Sequence, residues 1–446
     1  MAKLFGTDGV RGRAGDPPLD HETVARLGAA LVRALAGDRR QPLRFVIGRD
    51  TRESGEWIER ELGRGIHAEG AAVHTAGVIP TPAIAYITPA AGFDAGLVIS
   101  ASHNPFEDNG IKVFSGAGEK FTETLEQHVE SIMADRSWTV PDGSLAPVEP
   151  IEVIERYTAH LRAALPEQDG AAPFRLAIDC ANGATTTVAP QLLRDLGFDV
   201  TVIGNEPNGR NINLDCGSTH PGRLAQLVRE GAYRMGVAFD GDGDRAIFVD
   251  HHGTVVDGDA VMLLAARHMQ SQGRLEGDAV VATVMSNIGL ELALRESGIE
   301  LVRCPVGDKY VMEEMLKRGI SIGGEQSGHI IFSSHLFTGD GIATALHVLR
   351  VMRDSGRELA ELAAQLVTYP QVLVNVRVKE RQDLKTVPAV AAVIDRVEQR
   401  LAGQGRLLVR YSGTEPLLRV MLEGKDQHEI RGWADEIAEA VRRHLG

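Results

Sequence analysis

The sequence is short of the features that mark secreted, membrane-bound and nucleic-acid-binding proteins. Only three cysteines occur among 446 residues, at Cys180, Cys216 and Cys304, and none forms a CxxC pair. This usage argues against a disulfide scaffold and favours buried thiols in a reducing cytoplasm. Basic side chains number 47 against 61 acidic ones, for a formal net charge of −14. That balance argues against a general binder of nucleic acid or anionic membranes, but not against anionic small substrates.

Several common motifs are absent as well. No apolar run approaches the roughly 20 residues of a membrane-spanning helix. The opening MAKLFGTDGVRG has no apolar segment, so no signal peptide is expected. No Walker loop, HExxH or GxSxG occurs, which leaves ATP-driven transfer, zinc proteolysis and α/β-hydrolase chemistry without support. The length predicts several domains, and 43% hydrophobic and 24% charged residues are ordinary for a globular protein.

One pattern recurs three times: an apolar strand, a polar loop, a helix that ends near a glycine, and a second strand. Such units build parallel sheets that are covered by helices, so we expect three α/β domains related by a degenerate repeat. The glycines expected at the helix ends are Gly70, Gly197 and Gly298. The three copies span residues 44–77, 175–204 and 279–307.

The C-terminal region has a different pattern. Residues 369–380 alternate like a strand, 387–403 have helical spacing, two further strands follow, and an amphipathic helix closes the chain. This predicts an α+β domain. The expected boundaries near Pro150, Gly253 and Thr368 give domains at 1–150, 151–253, 254–368 and 369–446.

In GVAFDGDGDRAIFV (236–249) an apolar strand leads into three alternating carboxylates. Asp240, Asp242 and Asp244 are separated by Gly241 and Gly243, which let the backbone curl so that the carboxylates converge. Like charges this close repel, and a bound cation relieves the repulsion. Oxygen-only ligands favour Mg²⁺ or another hard cation over zinc. The alternation therefore predicts a metal site, against the alternative of a solvated acidic turn.

Three other motifs share part of this pattern. An EF-hand loop needs Gly and Glu where this chain has Arg245 and His251. A dinucleotide-binding GxGxxA run would turn Asp242 and Asp244 towards a pyrophosphate. Haloacid-dehalogenase phosphatases also have a strand followed by DxDG, but usually carry Thr or Val at the position of Asp244. An Asp240 nucleophile therefore stays an open alternative.

Ser102 follows the apolar run GLVIS, within VISASHNPFEDNG (98–110). It stands beside His103 and just before Asn104 and Pro105, which are a turn signal. Ser, Asn and Pro favour turns for backbone reasons, so the local sequence alone predicts only a turn at the end of a strand. The carboxyl end of a strand is also where α/β sheets place their sites.

Three further glycine-containing loops carry polar or basic side chains. The segment 409–421 combines guanidinium groups, hydroxyls and loop N–H donors, which suits a phosphate as well as a plain hairpin. Taken alone, the segment 321–332 favours a tight connecting loop over a sugar site, and the segment 4–15, with Arg11 and Arg13, favours a flexible basic terminus over a binding loop. The candidate phosphate ligands are Arg410, Ser412, Gly413, Thr414 and Arg419.

Together these segments resemble one family, the α-D-phosphohexomutases. The motifs ISASHNP, DGDGDR, VGDKYV, GEQSGH and SGTEP occur in the order and spacing of that family, and the resemblance covers the whole chain. Tyr411 departs from the proline that commonly precedes SGTEP, a change expected to loosen the phosphate loop slightly without removing a ligand group. The implied fold is three related α/β domains with mixed, largely parallel sheets and a C-terminal α+β domain around a central cleft.

The resemblance implies an isomerase that works by phosphoryl transfer. Ser102 would be a phosphoserine whose phosphoryl oxygen completes the coordination of Mg²⁺ by Asp240, Asp242 and Asp244. The phosphoryl group would pass to a sugar phosphate, and the resulting sugar bisphosphate, which is also the activator, would return its other phosphoryl group to the serine. The implied sugar-binding residues are Gly307, Asp308, Glu325 and Ser327.

Acid–base roles and substrate choice are implied in the same way. Lys112 and His329 are the acid–base candidates, and Lys112 could act as a base only if cationic neighbours lowered its pKa. GTDGVRG and GEQSGH are most similar to members that interconvert glucosamine 6-phosphate and glucosamine 1-phosphate for cell-wall synthesis, with Glu325 or Gln326 facing the amino group. The expected electrostatic helpers are Arg11, His103 and Arg245.

Other functions stay open on the sequence alone. They are a mutase of glucose or mannose phosphates, a phosphatase with an Asp240 nucleophile, and a catalytically silent metal- or sugar-binding protein. The expected partners are small-molecule sugar phosphates, with neither nucleic acid nor a membrane, and a homodimer is left open. The expected location is cytoplasmic.

Overall fold

The computed structural model describes residues 4–6, 8–37, 42–143, 148–166, 174–411 and 417–446. These residues belong to two compact units, Met1–Met285 with Gly298–Gln365, and Ser286–Ser297 with Leu366–Gly446. Three predicted phosphate ligands, Ser412, Gly413 and Thr414, lie outside the described residues.

The first unit begins with a six-stranded mixed sheet and its helices. The elements are β1 (Val10–Arg13), α1 (His21–Ala36), β2 (Arg44–Arg49), α2 (Gly55–Ala68), β3 (Ala72–Val78), α3 (Thr81–Ala90), β4 (Ala95–Ile99), β5 (Asp108–Ser115), α4 (Glu123–Ala134) and β6 (Glu149–Pro150). The strand order is β1-β5-β4-β2-β3-β6. The strands β4, β2, β3 and β6 run parallel, and β5 pairs antiparallel with both β4 and β1.

A second, five-stranded sheet follows a linking helix, α5 (Ile154–Arg162). Its elements are β7 (Arg175–Asp179), α6 (Ala189–Asp195), β8 (Asp199–Ile203), α7 (Gly222–Glu230), β9 (Met235–Phe239), β10 (Ala246–Asp250) and β11 (Val255–Val256). The order is β11-β10-β9-β7-β8, with β9, β7 and β8 parallel and β10 antiparallel to β9. Every residue of β9 and β10 is buried, because helices and neighbouring loops cover this part of the sheet.

A third sheet has four strands in the order β13-β12-β14-β15. The chain passes in turn through α8 (Gly258–Ser271), β12 (Ala279–Thr283), α9 (Ile288–Glu296), β13 (Glu300–Cys304), α10 (Asp308–Arg318), β14 (Ile322–Gly324), β15 (Ile330–Phe332), α11 (Gly341–Ser355) and α12 (Leu359–Ala363). The strands β13, β12 and β14 are parallel, and β15 is antiparallel to β14.

One strand order is common to all three sheets. The sets β5-β4-β2-β3, β10-β9-β7-β8 and β15-β14-β12-β13 each place an antiparallel strand beside the third parallel strand. The connection between those two strands carries Ser102 in the first sheet, residues 240–245 in the second and residues 325–329 in the third. The three candidate loops are therefore topologically equivalent, and the predicted repeat is confirmed.

Local chemistry explains why the repeat folds alike three times. The glycines Gly70, Gly197 and Gly298 follow the helix ends with φ of 78°, 87° and 72°, the left-handed conformation that glycine adopts without steric cost. The first strand of each copy also ends at a polar side chain that accepts the N–H two residues ahead. The three bonds are Arg52 N to Asp50 Oδ1, Ala181 N to Asp179 Oδ1 and Met285 N to Thr283 Oγ1.

The second unit contains a three-stranded antiparallel sheet, as the alternating pattern predicts. Its elements are β16 (Gln371–Arg377), α13 (Pro388–Leu401), β17 (Arg406–Tyr411), β18 (Leu417–Glu423) and α14 (Gln427–Leu445), with the strand order β16-β18-β17. Buried residues from the strands and both helices form one apolar core, including Val376, Val397, Val420 and Ile437. The segment 286–297 joins this unit through Asn287, whose side chain pairs with the backbone of Tyr369. The predicted α+β organisation is confirmed.

Within the described ranges, none of the helices combines the length and the apolar composition that crossing a membrane requires. The domain boundaries near residues 150, 253 and 368 stay predictions.

Candidate active site

Ser102 lies where the loops of the first two sheets meet. Its side chain is buried, its φ is 52°, and its N–H donates to Ser100 Oγ at 2.9 Å. The Ser102 hydroxyl donates to Asp240 Oδ2 at 2.5 Å, and His103 Nδ1 is 3.3 Å away. A Cβ on Gly241 would come within 2.6 Å of the Ser102 carbonyl oxygen, so the two loops approach as closely as glycine allows.

The three predicted metal ligands converge. Asp240, Asp242 and Asp244 are 0%, 0% and 3% exposed, and each offers a carboxylate oxygen within 4.8 Å of the other two. Asp242 Oδ1 is buried and accepts no hydrogen bond from the residues that the structure describes. Burial, followed by the charges of Asp244 and Asp242, raises the pKa of Asp240 well above its usual value. A dry set of acidic oxygens with an unsatisfied acceptor fits a hard cation.

Lys112 is surrounded by carboxylates, which oppose its candidate role as a base. Its Nζ lies 2.7 Å from Asp242 Oδ2, 2.9 Å from Asp244 Oδ2 and 3.2 Å from Asp8 Oδ2. Burial opposes the charged form, but Asp242, Asp244 and Asp8 together raise the pKa of Lys112 well above its usual value. The cationic neighbours that would lower this pKa are outweighed, so Lys112 is held protonated here. It balances charge and can donate a proton.

Asp8 and Lys120 extend this charge network towards the third sheet. Lys120 Nζ hydrogen bonds to both Asp8 and Asp308. Burial opposes the charged form of Lys120, but Asp308 and Asp8 raise its pKa. Asp308 therefore contacts a lysine from the first sheet's domain, and the predicted sugar-binding residue is joined to Lys112 through Asp8.

His329 closes the network, because its imidazole ring lies between Asp308 and Asp244. Its Nε2 lies 3.6 Å from Asp308 Oδ2, and its Nδ1 lies 3.6 Å from Asp244 Oδ1. The backbone N–H of Gly339 donates to Nε2 at 2.9 Å. Burial disfavours the imidazolium, but Asp244 and Asp308 raise the pKa of His329. In its neutral form the ring carries its proton on Nδ1, facing Asp244.

The three predicted electrostatic helpers lie together, but they are not all cations. Arg245 Nη1 is 3.1 Å from His103 Nδ1, and Arg11 pairs with Asp8. Burial, with the charges of Arg245 and Arg11, lowers the pKa of His103 to about 4. His103 is therefore uncharged at neutral pH, and its Nδ1 accepts a hydrogen bond from Arg245 Nη1 beside the Ser102 hydroxyl.

The predicted sugar-binding loops contact one another through Glu325. Its Oε1 accepts the N–H of Gly307 at 3.2 Å, its Oε2 accepts the Ser327 hydroxyl at 3.1 Å, and Arg245 Nη2 is 3.9 Å from Oε2. Gln326 instead donates to Asp257 Oδ2 at 3.0 Å, at the N-terminus of α8. Of the two residues expected to face a substrate amine, Glu325 alone has its side chain engaged with these sugar-loop partners.

A cavity of about 560 Å³ is large enough for a sugar phosphate and is lined by Asp244 of the acidic cluster and by His103, the neighbour of Ser102. Acidic, basic and imidazole side chains from the N-terminal loop and all three sheets' loops line it. They include Asp8, Arg11, His103, Arg245, Asp308, Glu325 and His329.

The second unit brings together the two arginines among the candidate phosphate ligands. Arg410 on β17 and Arg419 on β18 are directly opposed in the antiparallel register, so their side chains leave the same face of the sheet. Two guanidinium groups on one face of a sheet suit the binding of a phosphate. The Tyr411 hydroxyl donates to Gln382 O at 2.7 Å and accepts Gln382 N–H at 3.1 Å. This tether anchors the end of β17, while the phosphate loop that Tyr411 is expected to loosen lies outside the described residues.

Sequence reasoning missed several residues of the site. Asp8 lies inside the quoted GTDGVRG motif, and its acidity beside Arg11 was the available signal. Asp50 and Arg52 lie inside the first repeat copy, where an Asp-x-Arg at a strand end was visible. Nothing local marks Lys120 or Asn213, whose Nδ2 donates to the Ser102 carbonyl at 2.9 Å, because their partners are distant in the chain.

The Asp240 nucleophile has little support from the geometry. Its Oδ2 accepts the Ser102 hydroxyl at 2.5 Å, and its Oδ1 accepts the backbone N–H of Arg245 at 3.1 Å. Both oxygens are therefore engaged in a buried carboxylate. A serine hydroxyl held against a buried acidic cluster, with a polar cavity nearby, instead agrees with the class that the motifs resemble, the phosphohexose mutases.

Comparison with known proteins gives the same class. The chain matches the phosphoglucomutase/phosphomannomutase α/β/α domains I, II and III over residues 2–139, 155–253 and 257–369, and the C-terminal domain over 373–440. The chain belongs to this family of isomerases. Family membership and the buried acidic cluster together support a metal cofactor.

Curated relatives match along the whole chain. Phosphoglucosamine mutase of Solibacter usitatus is 49% identical over 449 residues, covering 100% of both chains. Phosphoglucosamine mutase of Syntrophotalea carbinolica is 47% identical over 448 residues, covering 100% of this chain and 98% of the relative.

Solved structures show the same fold. A phosphoglucomutase/phosphomannomutase family protein from Burkholderia thailandensis superimposes with a TM-score of 0.81 at 22% identity, covering 100% of this chain and 98% of the other. N-acetylphosphoglucosamine mutase of Aspergillus fumigatus, in complex with GlcNAc-6P and magnesium, gives 0.67 at 19% identity, covering 99% and 96%.

Proposed function

We propose that this protein interconverts glucosamine 6-phosphate and glucosamine 1-phosphate through a phosphoserine at Ser102 and a sugar bisphosphate. The observation that carries the proposal is the contact of the Ser102 hydroxyl with Asp240 at the edge of a buried acidic cluster. The substrate assignment is supported by whole-chain identities of 47% and 49% to phosphoglucosamine mutases.

Phosphoryl transfer requires two bond changes and one proton transfer. The P–O bond to Ser102 Oγ breaks, a P–O bond to the sugar forms, and the sugar hydroxyl proton is replaced by a proton on Ser102 Oγ. The seryl hydroxyl then donates to Asp240 Oδ2 with His103 beside it, as described above. The second half-reaction reverses these changes with the other phosphoryl group of the bisphosphate.

Charge neutralisation is the main task in such a transfer. Mg²⁺ bound by Asp240, Asp242 and Asp244 would neutralise the transferring phosphoryl group. Arg245 adds a fixed positive charge beside Ser102. Lys112 is assigned to charge balance and proton donation, because its Nζ contacts the carboxylates of Asp8, Asp242 and Asp244.

Two sets of residues are assigned to the substrate. Gly307, Asp308, Glu325 and Ser327 bind sugar hydroxyls, and Glu325 is assigned to the cationic 2-amino group. Arg410 and Arg419 bind phosphate, with Ser412, Gly413 and Thr414 as their predicted partners. A carboxylate facing an amine favours glucosamine phosphates over the 2-hydroxyl of glucose or mannose phosphates.

The substrate assignment is tested by comparing kcat/KM for glucosamine, glucose and mannose 1-phosphates, each with its bisphosphate as activator. Glucosamine 1-phosphate should have the highest kcat/KM. The Glu325→Gln variant should show a smaller ratio of kcat/KM for glucosamine 1-phosphate to kcat/KM for the other two sugar phosphates. A higher kcat/KM for glucose or mannose phosphate would leave a mutase but refute the amino-sugar assignment.

We also infer a cytoplasmic location, which the three buried free cysteines support. The domain boundaries near residues 150, 253 and 368, and a homodimer, remain proposals that limited proteolysis and light scattering would test.

A further inference from the structure

We propose that Arg52, a fully buried residue after β2, is a positioning residue that holds Ser102 in place for phosphoryl transfer; this rests on the proposed function. All five of its N–H donors are engaged. Nε donates to Asp50 Oδ2 at 2.9 Å. The other four donors bond to the backbone carbonyls of the serine loop at Ser102, Asn104, Pro105 and Asp108.

The same network reaches the amide of Ser102. Asp50 Oδ2 also accepts the Ser100 hydroxyl at 2.6 Å, and Ser100 Oγ accepts the Ser102 N–H at 2.9 Å. Asn213 Nδ2 adds a bond to the Ser102 carbonyl at 2.9 Å. The peptide groups on both sides of the Ser102 Cα are therefore held by side chains.

The turn that follows the first strand of each repeat forms in the other two copies without an arginine. Asp50, Asp179 and Thr283 make the equivalent bond to the N–H two residues ahead. The residue that supplies that N–H is Arg52 in the first copy, but Ala181 and Met285 in the other two. An arginine thus appears only in the copy whose neighbouring loop carries the serine.

Ser102 needs such support because of its backbone conformation. Its φ of 52° is in the left-handed region, which is unfavourable for a side-chain-bearing residue and persists only when the surroundings enforce it. Without the hydrogen bonds from Arg52, the loop that carries Ser102 can relax and move the hydroxyl away from Asp240. A displacement of about 1 Å can reduce a rate about 100-fold while substrate binding is little changed.

The test is Arg52→Lys, which keeps the charge but loses the planar fork and two of the five donors. Arg26→Lys is the matched control. Arg26 is 3% exposed and donates to the backbone carbonyls of Met133, Asp135 and Trp138, away from the serine. Each protein is assayed for single-turnover phosphoryl transfer from a sugar bisphosphate to Ser102, for kcat and KM, and for its melting temperature.

We expect Arg52→Lys to lower the transfer rate and kcat by about 100-fold with KM changed by less than about 3-fold. Arg26→Lys should lose comparable thermal stability and keep its rate. Equal rates in the two variants would overturn the inference. If Arg52→Lys does not fold, Ser100→Ala decides: a rate lowered by at least about 10-fold at unchanged KM supports the network, and a wild-type rate refutes it.

Failure of the proposed function gives a different result. Wild-type protein that accepts no phosphoryl group on Ser102 refutes the serine mechanism, and the inference with it. Wild-type protein that is phosphorylated, alongside an equally fast Arg52→Lys variant, refutes the positioning role alone.

Discussion

The hydroxyl of Ser102 donates to Asp240 Oδ2 at 2.5 Å, although the two residues are 138 positions apart and belong to different sheets. Each lies in the loop after the third parallel strand of its own repeat. The phosphoryl carrier and the metal site are thus equivalent parts of two copies of one fold. Changes to the acidic cluster should therefore appear in the chemistry of the serine.

The first prediction concerns the metal. Asp242→Asn removes one of three converging carboxylates, so affinity for Mg²⁺ should fall by at least about 10-fold and kcat should fall with it. Calorimetric titration with Mg²⁺, together with activity as a function of its concentration, measures both effects.

A matched control for this prediction is Asp250→Asn. Asp250 is also a buried carboxylate of the second sheet, but its Oδ1 accepts the backbone N–H groups of His252 and Thr254. This variant should retain the wild-type affinity for Mg²⁺. Full activity of the wild-type enzyme in excess chelator would contradict the metal site itself.

The second prediction concerns the paired arginines. Arg410→Ala and Arg419→Ala should each raise KM, because phosphate binding is shared by the ground and transition states. Loss of one charge-assisted contact costs about 1.5–3 kcal/mol, so KM should rise by about 10- to 150-fold. Steady-state kinetics with the preferred sugar phosphate measure this change.

The control for the arginine pair is Arg400→Ala. Arg400 makes an exposed ion pair with Glu436 at 2.8 Å in the same unit, and such pairs contribute little. It should leave KM unchanged. Wild-type KM values for both Arg410→Ala and Arg419→Ala would show that phosphate binds elsewhere.

The third prediction concerns acid stability. Burial is the main cause that lowers the pKa values of His335 and His347 to about 3. Both are neutral in the folded protein and take up protons on unfolding. The stability that these neutral side chains contribute is therefore fully present above pH 6.5, the ordinary pKa of histidine. It is lost as the pH falls from 6.5 towards 3. Each residue should lower the free energy of unfolding by up to about 1.4 kcal/mol per pH unit in that window.

His347→Phe tests this account. The His347 ring stacks on the Phe332 ring with 3.9 Å between the ring centroids, and its Nε2 has no hydrogen-bond partner among the described residues. A phenyl ring should keep the packing and remove the proton uptake. Denaturant unfolding at pH values from 7 to 4 should then show a shallower loss of stability than in the wild type. An unchanged slope would rule out His347 as a source of acid sensitivity.

The repeated secondary structure could be predicted because its signals are local. Gly70, Gly197 and Gly298 end helices by backbone conformation alone, and apolar runs mark the buried strands. The clustering of Asp240, Asp242 and Asp244 was likewise predictable, since alternation with glycine brings their carboxylates together whatever the surrounding fold.

The electrostatics of the site could not be predicted in the same way. The protonated state of Lys112 depends on Asp8 and Asp242, which come from other loops. Lys120 carries no motif, and Gln326 turns to Asp257 for reasons that only the packing against α8 supplies. Arg52 could be seen in the sequence, but its role depends on carbonyl groups about fifty residues further along the chain.

The most direct test of the central claim is intact mass and peptide mapping of the protein after incubation with a sugar bisphosphate and Mg²⁺. We predict one added phosphoryl group, located on Ser102, stable to hydroxylamine, and lost when glucosamine phosphate is added. Ser102→Ala should take up none and have no mutase activity while it still binds sugar phosphate. A hydroxylamine-labile phosphoryl group on Asp240, or near-normal turnover of Ser102→Ala, would contradict the account.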